Sequence, residues 1–368
     1  MEKIVLRNRR KPHSLFSMRK TKTLIVGLGR IASILEKDPL RQKPCTHAGV
    51  LLSAWGKKNF EIIGVLDPNR EKQELFCKQW KFPRDRVFSD LDSFAKIRIL
   101  PDLTVIATPS ESHYFDACSA IRFGIKNLVI EKPVCETFLQ AKSLEKLARK
   151  NETRIWVNHE RRYHPKYSWA KSVLESGKYG RIRTIRASVL TSAASPGRAF
   201  HDRTGPLFHD GTHAIDLIYW LLGKPDRIRS SLRKRNGVSV EDKAVALLEY
   251  DSGPIVFLEA GGSRNYFQFE MDIMTDCARM ILSNDGFSLF ESRPSRKYKG
   301  FNSLTEVSFP EKSSLGPNPF ENLYAEIRSV LANQSDRITG DIRENLGIME
   351  LLDRIKTKAD VRTVSEPE

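Results

Sequence analysis

Between residues 23 and 158 the apolar positions fall in short blocks separated by helix-like stretches. The blocks are Thr23-Leu24-Ile25-Val26, Phe60-Glu61-Ile62-Ile63-Gly64-Val65-Leu66, Leu103-Thr104-Val105-Ile106, Leu128-Val129-Ile130-Glu131 and Arg154-Ile155-Trp156-Val157-Asn158. Each is short, rich in β-branched residues and closed by a turn residue, which predicts buried strands. Thr46 to Leu52 is compatible with a helix. Tyr114, Cys118 and Ile121 share one face of another, and Phe138, Ala141, Leu144 and Leu147 recur at helical spacing in a third. Ser33 to Pro44, with Glu36-Lys37-Asp38-Pro39-Leu40-Arg41, reads as a loop. Strands alternating with helices predict a doubly wound parallel sheet.

The pattern changes in the second half. Phe267, Phe269, Met271 and Ile273 alternate with Gln268, Glu270, Asp272 and Met274, the period of a sheet with unlike faces. Short neighbouring strands are predicted over 244–250, 255–259, 279–283 and 287–291, with helices over 212–222 and around Phe320, Leu323, Tyr324, Ile327 and Leu331. This predicts a mainly antiparallel sheet, one of whose faces must be covered by helices or by another subunit. The predicted organisation is a basic N-terminal extension (1–22), a first α/β domain (23–158) and a second domain (159–368).

Composition narrows the class. The chain has 368 residues, 40% of them hydrophobic, enough for two buried cores. Its five cysteines are scattered, none closer than 17 residues to the next, so neither a disulfide framework nor a Cys-x-x-Cys knuckle is suggested and a reducing cytoplasm fits best. No run approaches the ~18 apolar residues of a membrane span, and no signal-type segment follows the basic start. Of the net charge of +16, residues 1–22 carry eight Lys/Arg against Glu2, or +7. No basic-aromatic pattern accompanies that extension, so it reads as a flexible solvated arm rather than a nucleic-acid arm.

The first block ends on Gly27-Leu28-Gly29-Arg30-Ile31-Ala32, a G-x-G-x-x-A turn. In a strand-turn-helix unit the first glycine permits the tight turn, the second lets the backbone approach a pyrophosphate, and the small third residue allows close helix packing. Asp67 closes the second strand, where a carboxylate accepts ribose hydroxyls and repels a 2′-phosphate, although Asp67-Pro68-Asn69 is equally a plain turn. Ligands of such sheets bind at the carboxyl ends of the strands, where Gly27, Asp67, Thr108 and Lys132 fall.

Taken in order, G-L-G-R-I-A, V-L-D-P-N, A-T-P-S-E-S-H, E-K-P and G-P-L-F-H-D-G-T-H-A-I-D resemble the family of glucose-fructose oxidoreductase, inositol dehydrogenase and rhizopine-catabolism proteins (Gfo/Idh/MocA), over roughly residues 23–360. The resemblance implies a Rossmann domain followed by an open-sheet domain. It implies a nicotinamide-dependent oxidoreductase acting on a secondary alcohol or ketone of a sugar, sugar derivative (phosphorylated or nucleotide-linked among them) or cyclitol, with a homo-oligomer expected through the second sheet, and Asp67 predicts NAD in preference to NADP. The implied cofactor set is Gly27, Gly29, Arg30, Ile31, Asp67, Thr108, Pro109, His113, Glu131 and Lys132. Lys132 and His213 are the implied catalytic pair, because histidine titrates in the range needed for the hydroxyl proton and an ammonium stabilises a developing alkoxide.

The chain departs from the family at one point. The commoner pattern is D-x-G-x-H, whereas this chain has His209-Asp210-Gly211-Thr212-His213. His209 and Asp210 are therefore expected to contact substrate hydroxyls, with Arg162, of the Arg161-Arg162-Tyr163 segment, beside them. The His-x-x-x-His spacing suggests a metal pair, but Gly211 and the missing glutamate of H-E-x-x-H argue against one. The altered aspartate slot also keeps a second class open, a catalytically silent, sugar-responsive binding module of the same fold.

Overall fold

A computed structural model describes residues 19–192, 205–264, 266–310 and 315–364. Most of the basic N-terminal arm therefore lies outside the described residues. The chain opens with β1 (Thr21–Val26), α1 (His47–Leu51), α2 (Ala54–Asn59), β2 (Phe60–Leu66), α3 (Arg70–Trp80), β3 (Val87–Phe88), α4 (Leu91–Ala95), β4 (Leu103–Ile106), α5 (Ser110–Arg122), β5 (Asn127–Glu131), α6 (Phe138–Lys150) and β6 (Arg154–Asn158). The six strands form one parallel sheet in the order β3-β2-β1-β4-β5-β6, with the order reversing beside β1. Both faces are covered, which is why these strands read as unbroken apolar blocks.

The loop after the glycine turn interrupts a helix. Ser33 N–H bonds to Gly29 O as in a first helical turn, the chain then leaves as a 3₁₀ turn over Ile34–Lys37, and the helix resumes at α1. His47 N–H donates to Ile31 O at 3.2 Å and Ala48 N–H to Ala32 O at 2.9 Å. These are the i to i−4 bonds of one α-helix with 12 residues inserted between donor and acceptor. Glu36 holds the excursion closed, accepting from Cys45 N–H at 3.0 Å and from the Thr46 hydroxyl at 2.8 Å.

Beyond β6 a 3₁₀ turn (Glu160–Tyr163) and α7 (Pro165–Glu175) lead into β7 (Ile182–Ser192), α8 (Gly205–His209), α9 (Thr212–Leu222) and β8 (Arg227–Arg235). The strands β9 (Glu241–Glu249), β10 (Ile255–Arg264), β11 (Gln268–Thr275), β12 (Ala278–Ser283), β13 (Phe287–Pro294) and β14 (Asn302–Val307) follow. The described chain ends with α10 (Pro319–Leu331), α11 (Ile342–Thr357) and β15 (Asp360–Val364). These nine strands form a second sheet, β14-β13-β12-β11-β7-β10-β9-β8-β15, antiparallel except at β7/β10 and β8/β15. Phe269, Met271 and Ile273 are buried on its inner face, where Tyr167 of α7 packs on Phe269 and Leu217 of α9 lies beside Met271, while Val245, Ile255 and Phe257 are exposed on its outer face. Phe267 stands before the start of β11 and is exposed, so the alternation read from sequence runs one residue past the strand.

One helix crosses between the sheets. In α10, Phe320, Leu323, Tyr324 and Ile327 pack with Ile25, Leu28 and Phe60 of the first sheet's core, although the sequence pattern assigns that helix to the second domain.

Candidate active site

The first sheet presents its turns where the strand order reverses, the position where open α/β sheets bind ligands. Gly27 has φ +90, and a Cβ there would lie 2.7 Å from the main chain of Ala107 and Thr108, so only glycine permits the contact between this turn and the end of β4. A Cβ on Gly29 would meet nothing within 4 Å, which leaves room above the second glycine for a phosphate-bearing ligand. Asp67 is 4% exposed and ties the turn together: it accepts from Leu28 N–H at 2.8 Å and Asn69 N–H at 2.9 Å. Lys72 Nζ, which sequence reasoning passed over, lies 3.7 Å from the same carboxylate, whereas Arg70 points to Glu74.

The other expected cofactor residues separate. Arg30 and Pro109 are exposed, Ile31 packs partly against the core, and the Thr108 hydroxyl donates to Asp116 at 2.7 Å. His113 is held by main chain. Its Nδ1 lies 2.7 Å from Pro133 O and its Nε2 2.8 Å from Thr108 O, so both ring nitrogens are engaged by carbonyls and the buried ring staples two loops instead of facing a ligand. Glu131 is buried, with His47 at 2.9 Å and Asn158 at 2.6 Å on one carboxylate oxygen.

The next residue, Lys132, leaves the sheet toward the second domain, where its Nζ donates to His209 O at 3.0 Å. That carbonyl ends α8, and the chain turns through Gly211 into α9, which carries His213. A Cβ at Gly211 would lie 2.5 Å from Leu207 O and 3.0 Å from Ala260 Cβ, so the turn closes only on glycine. His209 Nδ1 is 3.0 Å from Asp210 Oδ1. Burial alone would raise the Asp210 carboxyl, but the His209 hydrogen bond and the charge of Lys132 hold it below its usual range. Burial, with the charges of Lys132 and Arg161 added, holds His213 well below the usual imidazole range, so it is neutral near pH 7. Its Nδ1 is buried without a hydrogen bond, 3.9 Å from Glu160 Oε1.

Arg161 and Arg162 point to different partners. Arg162 Nε donates to Asp216 at 2.9 and 3.1 Å, both side chains being buried, and the guanidinium also pairs with the exposed carboxylate of Glu344 on α11. Its Nη2 is buried without a hydrogen bond, 2.9 Å from Asp216 Oδ1. Arg161 faces the site instead. It bonds Glu160 at 2.8 Å and Asn284 at 3.0 Å, and stacks 4.0 Å over the Phe269 ring. His47, Lys72, Glu160 and Asn284 carried no recognisable signal in the sequence beyond lying next to motif residues or in a helix-like stretch.

Comparison with known proteins agrees with this geometry. Residues 21–159 match the model of the GFO/IDH/MocA oxidoreductase family, NAD-binding Rossmann fold, and residues 167–279 match its C-terminal domain. The uncharacterized oxidoreductase YhhX of Escherichia coli is 32% identical over 169 residues, 44% of this chain and 47% of that protein, so the match spans about half of that relative's length. Glucose-6-phosphate 3-dehydrogenase of Bacillus subtilis is 25% identical over 300 residues, 75% of this chain and 81% of that protein. The WlbA dehydrogenase of Bordetella pertussis, solved with NADH and UDP-GlcNAcA, superposes with a TM-score of 0.71 at 20% identity, covering 93% of this chain and 97% of that one.

Proposed function

The chain belongs to the Gfo/Idh/MocA family of oxidoreductases, with an NAD-binding Rossmann fold, and from that premise we propose that it is an NAD-dependent dehydrogenase interconverting a secondary alcohol and a ketone on a sugar, sugar derivative or cyclitol. The observation that carries the reading is the hydrogen bond from Lys132 to the carbonyl of His209, which sets an ammonium at the head of the helix bearing neutral His213.

Bound nicotinamide would supply the acceptor for the hydride leaving the carbinol carbon. His213, uncharged at neutral pH, takes the hydroxyl proton, and Lys132 stabilises the negative charge developing on that oxygen. His209 and Asp210 meet neighbouring hydroxyls, and Arg161 supplies a second positive charge at the same site. The space above Gly29 suits a pyrophosphate, and Asp67, held by two backbone N–H groups, favours ribose hydroxyls over a 2′-phosphate. The names of relatives, a glucose-6-phosphate dehydrogenase and a dehydrogenase bound to UDP-GlcNAcA, support a sugar bearing a phosphate or nucleotide. The exposed Val245, Ile255 and Phe257 on the outer sheet face support pairing of that face with a second copy.

The experiment is NAD reduction against a panel of free, phosphorylated and nucleotide-linked sugars and cyclitols. Turnover of one class supports the dehydrogenase. NADH binding without turnover of any supports the second reading, a silent sugar-responsive module, which the His209 substitution in the aspartate slot favours.

A further inference from the structure

His47 is the first residue of α1, wholly buried, and it joins residues that are far apart in the chain. Its Nε2 is 2.9 Å from Glu131 Oε1 and its Nδ1 is 2.8 Å from the Tyr324 hydroxyl. Asn158 donates to the same Glu131 oxygen at 2.6 Å. The four side chains come from α1, β5, β6 and α10. An ionised carboxylate only accepts, so His47 Nε2 carries a proton toward Glu131, and Nδ1 shares a hydrogen bond with the Tyr324 hydroxyl. Burial by itself would raise the Glu131 carboxyl, yet the His47 and Asn158 donors and the charge of Lys132 keep it below its ordinary range. Glu131 is therefore a buried anion whose place is set by two donors, and its chain neighbour is Lys132.

The Glu131-Lys132-Pro133 turn is gripped from both ends. His113 bonds the carbonyl of Pro133, and His47 bonds the side chain of Glu131. His113 and Glu131 both lie within the first sheet's own unit, whereas His47 links the turn to α10, the helix that arrives after the whole second sheet. We propose that His47 is a positioning residue for Lys132: its bond to Glu131 sets the Glu131-Lys132-Pro133 turn, and its bond to Tyr324 makes that setting depend on the docking of α10. Its catalytic consequence rests on the dehydrogenase reading, while its geometric content does not. A histidine that merely filled the core would stabilise the fold without affecting Lys132.

The test reads Lys132 directly in the full chain. Reductive methylation with formaldehyde and a borane, followed by mass spectrometry, gives the modification rate of Lys132, with exposed Lys57 and Lys58 as internal references. Loss of both buried hydrogen bonds in His47→Ala is expected to raise the Lys132 rate about tenfold, and loss of the one made by the hydroxyl in Tyr324→Phe about threefold. His47→Gln, whose amide N–H reaches the place of Nε2–H, is expected to return it to within about threefold of wild type. A rate within twofold of wild type in folded His47→Ala, or a glutamine variant as fast as the alanine one, overturns the proposal. If His47→Ala does not fold, Tyr324→Phe decides alone, because it keeps the ring volume, and an unchanged Lys132 rate there overturns it equally. NADH titration of the same proteins separates the two readings. A wild-type chain that binds no NADH contradicts the dehydrogenase while the methylation rates still decide the role of His47.

Discussion

Lys132 and His209 are 77 residues apart, and the ammonium of the first donates at 3.0 Å to the main-chain oxygen of the second. The acceptor is backbone, so this link between the domains survives any change of the His209 side chain. It ties the E-K-P turn to the end of α8, two residues before the helix that carries His213.

It follows that the side chains of His209 and His213 have separable effects. His213→Ala is expected to lower kcat by roughly 10²-fold, the scale of a positioned proton-transfer group, with NADH affinity nearly unchanged. Lys132→Ala should lower kcat similarly and also weaken cofactor binding. His209→Ala leaves the Lys132 bond in place and should mainly raise KM, as for a group that binds ground and transition states alike. Steady-state kinetics on the substrate found by the sugar panel check this, and a near-normal kcat in His213→Ala with loss in His209→Ala would reverse the assignment.

The adjacent arginines should part in the same way. Arg162→Ala leaves Asp216 buried without its partner, which typically costs about 3–5 kcal/mol, so urea unfolding should register it before any kinetic effect. Arg161→Ala removes a half-buried group bonded to Glu160 and Asn284 and stacked on Phe269. It should cost about 1–2 kcal/mol in stability, less than Arg162→Ala, and change KM, since its charge acts on Asp210 and His213. Comparable destabilisation by both substitutions would show that Arg161 is structural too.

Much of this fold is written in local pattern and rather little of the site is. The strand Arg154–Asn158 and the helix Thr212–Leu222 coincide with the predicted ranges, because burial on both faces or along one stripe leaves an uninterrupted apolar signal. Arg161 and Arg162 are neighbours in a 3₁₀ turn, where successive side chains diverge by about 120°, and no spacing rule says which one turns inward. The decisive partners of Arg162, Asp216 and Glu344, lie 54 and 182 residues away. The sequence of α10 shows an amphipathic helix, but it contains nothing to say that the helix returns to the first sheet.

Cofactor choice should follow Asp67. The carboxylate is fixed by Leu28 and Asn69 N–H groups and stands 3.7 Å from Lys72 Nζ. Asp67→Ser removes the anion that repels a 2′-phosphate and leaves the Lys72 ammonium to attract it, so the NADP-to-NAD affinity ratio should rise about tenfold or more. Fluorescence titration with both reduced cofactors measures it. Tighter binding of NADP by the wild-type chain would contradict the role given to Asp67.

Acid sensitivity should have a histidine component. Burial, with Lys166 and Arg161 nearby, pushes His164 down to about 4, and its Nδ1 accepts from Lys166 N–H at the start of α7. The unfolded chain binds this proton near pH 6.5, so between about 4 and 6.5 the unfolded state holds more protons and stability rises with pH. As pH falls from 6.5 toward 4 that stability is lost, and His213, lowered in the same sense, adds to the slope. His164→Asn keeps a helix cap but cannot titrate. Its unfolding free energy should fall less steeply between pH 7 and pH 5 than that of wild type, and parallel curves would remove His164 from the account.

The excursion after the glycine turn offers the most direct test of the fold. His47 and Ala48 bond back to Ile31 and Ala32 as in an unbroken helix with 12 residues inserted, so removing residues 34–45 brings each donor to four positions from its acceptor. The deletion loses the Glu36 bonds to Cys45 and Thr46 and the bond from Asn318 to Pro44 O. In return it joins two helical fragments and removes a loop whose closure disfavours folding by a few kcal/mol at most. These effects oppose one another and are of similar size. The shortened chain should therefore fold, bind NADH within about threefold of wild type and melt within about 5 °C of it, since about 1–2 kcal/mol corresponds to a few degrees in a protein of this size. His47 stays in the deletion, so the Lys132 methylation rate should also remain near wild type. An insoluble product, or one that has lost NADH binding, would mean that the excursion is needed to build the first domain.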